Sequence, residues 1–159
     1  MGKYPVISIT LKDVEGLNFQ TAYDMLGIVI SSGARNFTFL LESDRLIQYE
    51  KDQLLCLLKG DFEKEAYIHN SLRFLTELLH KHYGIPAIVL IDEYDVPLDK
   101  AYQNGYYLQM VTLIHSLLGL IISKSDRYLT YVLRSILDLQ RMKSKHCFAI
   151  IIWMTNSKH

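Results

Sequence analysis

The chain has 159 residues, half of them apolar, and its 17 basic and 17 acidic residues give a formal net charge of zero. This length suffices for one domain with a buried core, and the balanced charge gives no general attraction to nucleic acid or to an anionic membrane. Cys56 and Cys147 lie far apart, without a metal-binding spacing. No apolar run approaches the ~20 residues that span a bilayer. We therefore expect a cytoplasmic protein with reduced thiols.

The first half of the chain predicts one strand followed by helices. Residues 4–10 are β-branched and apolar, which indicates a buried strand. Residues 18–32 place apolar side chains on one helical face behind Asn18, a favourable N-cap. A second helix is predicted over residues 43–58, and Gly60 is expected to end it.

A third helix is predicted between Asn70, its expected N-cap, and Gly84, which is expected to end it. The expected buried stripe of this helix comprises Leu72, Leu75, Leu78, Leu79 and His82. His80 and His82 are two positions apart and so lie on different faces of a helix. This spacing favours an interaction with the helix dipole over a metal site.

The second half of the chain predicts two more strands. Residues 87–92 are apolar up to the final Asp, as is typical of a strand covered on both faces. A loop containing Pro97 and Asn104-Gly105 is expected before a helix at about 106–123, and residues 128–135 indicate a third strand. Strands that alternate with helices imply right-handed crossovers, a mainly parallel sheet and an α/β fold.

Two adjacent carboxylates, Asp92 and Glu93, end the second strand, and Asp95 follows two positions later. Because like charges repel and desolvated carboxylates are costly, a cation or hydrogen-bond donors should meet them. The plainer interpretation is a strand end that reaches solvent. An EF-hand is excluded by the spacing and by Pro97, and a nuclease-type centre would need the Lys of Asp99-Lys100 on a strand. Three tyrosines that follow, Tyr102, Tyr106 and Tyr107, fit packing better than base stacking.

Four segments together resemble a known family. GKYPVISITLKDVEGLNF, LLESDRL, NSLRFLTELLHKHYG and above all VLIDEYDVPLDKAYQNGYY are similar to the AAA-ATPase-like domain of bacterial and archaeal proteins, which often carry a PD-(D/E)XK nuclease-like domain downstream. The resemblance covers about residues 2–137. It implies a P-loop NTPase core of the ASCE type, with three layers and helices on both faces of the sheet, that binds ATP and Mg²⁺.

The resemblance also implies roles for the carboxylates. An apolar strand that ends in Asp-Glu is the Walker B pattern, in which Asp92 would bind Mg²⁺ with its nucleotide and Glu93 would activate the attacking water. Asp95 would support these groups without binding the metal directly. In the sheet order that the resemblance implies, 5-1-4-3-2, the strands of this chain are numbers 2, 3 and 4, which are mutual neighbours.

The phosphate-binding loop of the family does not occur in this sequence. No G-x-x-x-x-G-K-[ST] is present, and the one Gly-Lys pair, Gly2-Lys3, is followed by Tyr4. Without the loop's N–H groups and lysine, the phosphates have no cradle, so we expect a partial domain that is inactive alone. Two alternatives stay open: a non-catalytic remnant or interaction module that pairs through an open sheet edge, and a partner that supplies the loop.

The end of the sequence departs from the family. Arg134 and Ser135 replace a Thr-Gly pair, and the resemblance stops after Leu137, which makes residues 1–137 the partial domain and 138–159 a tail. We hypothesise a frameshift near residue 138, which the nucleotide sequence would test. Within the tail, the apolar, β-prone residues 148–154 either pair with the open edge of the third strand or promote aggregation.

Overall fold

The computed structural model describes residues 4–60, 65–122 and 128–132. The expected tail, residues 138–159, lies outside the described residues. The described elements, in chain order, are β1 (Val6–Thr10), α1 (Phe19–Ala34), a 3-10 helix (Arg35–Glu42), α2 (Gln48–Lys59), α3 (Glu65–Tyr83), β2 (Ala87–Asp92), α4 (Val96–Gln103), α5 (Tyr107–Ile122) and β3 (Tyr128–Val132).

The three strands form one parallel sheet in the order β1-β2-β3. Thr10 is in register with Asp92, and Ile91 is in register with Val132, so the strands end at one edge. We call this edge, where the strands reach their carboxyl ends, the carboxyl edge. The expectation of an α/β fold with a parallel sheet is confirmed, and the three strands lie side by side with β2 in the centre.

Three local signals act as the sequence indicates. The Asn18 side chain accepts a hydrogen bond from the Thr21 N–H at 3.0 Å and so caps α1. Gly60 and Gly84 follow α2 and α3 with φ of 76° and 73°. Both adopt the left-handed conformation in which glycine ends helices without steric cost.

Two predicted helix starts are wrong. The second helix begins at Gln48 rather than residue 43, because Ser43 turns the chain and its hydroxyl accepts the Arg45 N–H at 3.3 Å. Asn70 is not an N-cap and lies inside α3, which begins at Glu65. Its side chain is on the exposed side of the helix, where a polar residue is tolerated in the interior of an amphipathic helix.

The loop predicted around Pro97 is also wrong, since α4 occupies Val96–Gln103. Pro97 stands in the first turn, where a helix has no use for the N–H that proline lacks. The predicted break at Asn104-Gly105 is correct in position, because Gly105, at φ 80°, separates α4 from α5.

One face of the sheet is buried under helices. Ile7, Ile9, Val89 and Ile91 are at most 4 % exposed. Helix α1 packs closely there, because a side-chain carbon at Gly33 would come within 3.3 Å of Ile9. Leucines from α3 complete this core, and α5 packs against α3.

The alternate positions lie on the other face and are much less buried. Val6 is 42 % exposed, Ser8 and Thr10 are exposed, and Ile88 and Leu90 are half-buried. From β1 to β2 to β3 the chain steps in one direction, so right-handed crossovers place the connecting helices on one side. Within the residues that the structure describes, the expected helices on both faces are therefore not found.

Among the described residues, no helix is long and apolar enough to cross a bilayer. Cys56 is an exposed free thiol, as expected, and Cys147 lies outside the described residues.

Candidate functional site

Asp92 is the last residue of the central strand and stands at the carboxyl edge of the sheet. Its side chain is exposed, and its backbone carbonyl accepts the Leu11 N–H at 2.9 Å. Its carboxylate accepts the Glu93 N–H at 2.9 Å. The ion pairs between described residues do not involve Asp92 or Glu93. The carboxylate therefore faces the rim where parallel α/β sheets bind their ligands.

Glu93 has φ 53°, and among the described residues it is the one non-glycine residue with a positive φ. In this left-handed conformation the Cβ atom crowds the following carbonyl, at a cost of roughly 1–2 kcal/mol. The contact of the Glu93 N–H with the Asp92 carboxylate holds the turn in place. Strained backbone of this kind clusters at functional sites.

Asp95 and Asp99 belong to α4 and its start. Asp95 immediately precedes the helix, and its carbonyl accepts the N–H groups of Leu98 and Asp99 at 3.1 and 3.0 Å. Asp95 is half-buried, and Asp99 is exposed in the first turn. The structure thus brings Asp92, Glu93 and Asp95 into one turn at the carboxyl edge. The described residues contain no group of three or more His, Cys, Asp or Glu side chains that could hold a metal by themselves.

The segment after β1 lies beside this turn. Leu11 and Val14 are buried in the core, and the Val14 N–H closes a tight turn onto the Leu11 carbonyl at 3.0 Å. Gly16 is required next, because a side-chain carbon there would come within 2.7 Å of the Thr21 Cβ and 2.8 Å of the Ala22 nitrogen. This segment is joined to the site by the hydrogen bond from the Leu11 N–H to the Asp92 carbonyl.

Two contacts tie the segment to the helices that follow the turn. The Tyr106 hydroxyl donates to the Gly16 carbonyl at 2.7 Å, and Lys100 Nζ lies 2.8 Å from Glu15 Oε2. The hydrogen bond to Glu15, and the charge of its carboxylate, raise the pKa of Lys100 above its ordinary value. Phe19 adds an edge-on ring contact to Tyr106, with centroids 6.4 Å apart.

No pattern in the sequence indicates these contacts. Gly16 and Tyr106 are 90 positions apart, in two of the segments that carry the family resemblance, and neither segment indicates that the two residues are in contact. The one available signal is Gly16 itself, two positions before the N-cap Asn18. The prediction that Tyr106 packs is confirmed, since it is 6 % exposed. Tyr102 and Tyr107 meet edge to face at 5.9 Å. The packing prediction is wrong for Tyr102, which is 75 % exposed.

His80 and His82 lie in the last turn of α3, the position at which a histidine interacts favourably with the helix dipole. His82 is half-buried rather than part of the buried stripe, and its Nδ1 lies 2.8 Å from the Ser43 hydroxyl. Its ring also contacts Phe39 and Tyr83. These contacts hold His82 against Ser43, Phe39 and Tyr83 at the end of α3.

The left-handed conformation of Glu93 predicts that substitution by glycine does not destabilise the protein. Glu93→Gly removes the left-handed strain but gives the unfolded chain more freedom, so its free energy of unfolding should rise by about 0–1 kcal/mol. As a control, Glu77→Gly in α3 should lower it by about 1 kcal/mol, because that position is helical. Urea unfolding of both variants measures the difference. If Glu93→Gly lowered the free energy of unfolding as much as Glu77→Gly does, the backbone at Glu93 would not be strained.

Comparison with known proteins identifies the family. The family model that is described as Predicted AAA-ATPase, or AAA-ATPase-like, matches residues 1–138, which is most of the chain. No curated protein and no solved structure matches the chain. The chain therefore belongs to the AAA-ATPase-like family.

Proposed function

We propose that this chain carries the metal-binding half of an ATPase site of the P-loop type, with Asp92 as the Mg²⁺ ligand and Glu93 as the general base. The observation that carries the proposal is the placement of both residues in one strained turn that ends the central strand of a parallel sheet. Membership of the AAA-ATPase-like family supports it. The pattern is that of a Walker B strand, and the sheet order is compatible with strands 2, 3 and 4 of such a core.

The residues fit Mg²⁺ that arrives with a nucleotide. Mg²⁺ is usually bound by one or two carboxylates together with phosphate oxygens and water, rather than by a cage of protein ligands. A single exposed Asp92 carboxylate suits this mode. When bound, the ion would neutralise charge that develops on the phosphates.

The residues do not fit the triphosphate itself. The printed sequence contains no G-x-x-x-x-G-K-[ST], so the backbone N–H groups and the lysine that would hold the β- and γ-phosphates are not supplied by these 159 residues. Phosphoryl transfer depends on positioning and charge stabilisation almost entirely. Turnover would therefore require a phosphate loop from another polypeptide segment.

Each carboxylate has a distinct role in the proposal. Asp92 holds the metal because its exposed carboxylate extends beyond the strand end. Glu93 accepts the proton of the attacking water, and the left-handed turn sets the direction of its side chain. Asp95 supports the turn through its carbonyl, which starts α4.

Paramagnetic Mn²⁺ tests the metal site directly. Titration of the chain with Mn²⁺ should selectively broaden the amide signals of residues 92–95 and of Leu11, whose N–H bonds to the Asp92 carbonyl. Asp92→Asn should weaken this binding at least about tenfold, because a neutral amide replaces the one charged ligand at the strand end.

Asp44→Asn serves as the matched control for that titration. Asp44 is an exposed carboxylate outside the site, between the 3-10 helix and α2, and its loss should leave the broadening at residues 92–95 unchanged. Equal broadening in Asp92→Asn and in the unsubstituted chain would refute the assignment of the metal to Asp92.

A second candidate function is an interaction module that pairs through a sheet edge. The Pro5 carbonyl accepts the Ile88 N–H, and the Leu11 N–H donates to the Asp92 carbonyl. The alternate residues Val6, Ser8 and Thr10 therefore point their N–H and C=O groups away from β2. Among the described strands, β1 and β3 each pair only with β2. Exposed strand edges of this kind pair with other chains, and sizing chromatography over a concentration series tests for such pairing.

A further inference from the structure

We infer that Tyr106 is a positioning residue for the Asp92–Asp95 turn, and that Lys100 assists it through Glu15. The inference rests on the proposed function, since it concerns the same carboxylates. On this inference, the hydrogen bond from the Tyr106 hydroxyl to the Gly16 carbonyl, which lies outside the turn, keeps Glu93 in its strained conformation.

The first step of the argument concerns the two ends of the turn. Asp92 is fixed at one end, because β2 pairs with strands on both sides. At the other end, the chain passes through Tyr94, which is packed partly against the core, and enters α4 at Val96. Glu93 can therefore keep its left-handed conformation only while α4 keeps its position relative to the sheet.

The second step concerns what holds α4. Tyr106 lies three positions after the last residue of α4, and its N–H donates to the Ala101 carbonyl at 3.0 Å, so the tyrosine is tied to the end of that helix. The Tyr106 hydroxyl then reaches the Gly16 carbonyl at 2.7 Å. Lys100, inside α4, reaches Glu15 at 2.8 Å. Both contacts connect α4 to the segment that follows β1.

The third step concerns the contact between the segment after β1 and Asp92. The same segment begins at Leu11, whose N–H donates to the Asp92 carbonyl at 2.9 Å. The site is thus enclosed in a ring of contacts that runs from Asp92 through the turn to α4, across to Gly16 and back to Leu11. Residues 11–16 are packed tightly at Gly16, where there is no room for a side chain, and this packing keeps the segment rigid.

The two contacts differ in expected strength. Tyr106 is 6 % exposed, so the loss of its hydroxyl leaves the Gly16 carbonyl without this partner in a partly buried place. Lys100 and Glu15 have side chains that are 42 % and 55 % exposed, and exposed ion pairs are weak. Tyr106 should therefore dominate, with the ion pair as a smaller addition.

Hydrogen exchange and Mn²⁺ titration of Tyr106→Phe test the inference. The amides of Leu11 and Glu93 should exchange on the order of five- to tenfold faster, the factor expected for one lost hydrogen bond, while those of Val89 and Ile91 in β2 keep their rates. Mn²⁺ binding at residues 92–95 should weaken by a similar factor. A purely structural role would instead accelerate exchange throughout the sheet and leave the metal affinity of the folded protein unchanged.

Tyr49→Phe and Glu15→Gln complete the experiment. Tyr49→Phe removes a hydroxyl that bonds to Gln53 on the exposed side of α2, and it should change neither readout. Glu15→Gln should raise the exchange rate of Leu11 less than about threefold, which provides a result even if Tyr106→Phe folds poorly. Unchanged Leu11 and Glu93 exchange in both site variants overturns the inference.

The failure of the inference can be told from that of the proposed function. If Mn²⁺ fails to broaden residues 92–95 in the unsubstituted chain, the metal site is refuted, and faster exchange in Tyr106→Phe still supports the positioning role. If Mn²⁺ binds there and Tyr106→Phe changes neither exchange nor affinity, the metal site stands and the positioning role is refuted.

Discussion

A polypeptide of these 159 residues is expected to hydrolyse ATP below about 10⁻⁴ s⁻¹, slower than an unassisted small GTPase. The rate should be this low because positioning of the phosphates and neutralisation of their charge supply nearly all of the acceleration in phosphoryl transfer. The sequence offers Asp92 and Glu93 but no Gly-Lys-Thr/Ser loop. Phosphate release from Mg-ATP, followed with the purified chain, measures the rate.

Glu93→Gln distinguishes a real activity from a contaminant in that assay. A clear rate that disappears in Glu93→Gln would contradict the expected inactivity, whereas a rate that persists in this variant belongs to another protein. Thermal unfolding with and without Mg-ATP adds a test of binding, because a ligand that binds the folded state stabilises it. Concentration-dependent association without any nucleotide effect would instead favour the interaction module.

The fold was largely predictable because the three strands carry strong signals. Residues 87–92 are apolar up to Asp92, and no helix-forming periodicity competes with that run. Helix boundaries were harder, since tertiary contacts decide them. Ser43 and Asn70 both look like N-caps, yet Ser43 turns the chain before α2, and Asn70 sits on the exposed side of a longer helix.

The location of the candidate site was predictable, but its internal geometry was not. An Asp-Glu pair at the end of an apolar strand must reach the carboxyl edge of a parallel sheet. The left-handed backbone of Glu93 leaves no trace in the sequence, because a glutamate there carries none of the marks of a glycine or asparagine turn. The contact of Tyr106 with Gly16 depends on the packing of α4 and α5, which no local pattern encodes.

The two faces of the sheet show how topology limits a prediction from composition. The run Ile88-Val89-Leu90-Ile91 reads as a strand covered on both faces. The strand order places the connecting helices on the side of Val89 and Ile91, and Ile88 and Leu90 are only half-buried. An apolar run indicates that a strand is buried, but it does not indicate which face is covered. The handedness of the crossovers decides on which side of the sheet the described helices lie.

Ile91→Ala is expected to lower the free energy of unfolding by about 2–5 kcal/mol, because a fully buried side chain is lost and the cavity relaxes only in part. Ile91 is 0 % exposed, stands between Ile9 and Val132 in the sheet and precedes Asp92, so the same cavity would loosen the base of the site. Ile28→Ala, the matched control on α1, removes the same atoms from a side chain that is 60 % exposed and should change the free energy by less than about 0.5 kcal/mol. Urea unfolding with an unchanged slope measures both values. Similar small losses at the two positions would mean that β2 is not the centre of the core, and the strand end would then lack the rigid support that a metal-binding carboxylate needs.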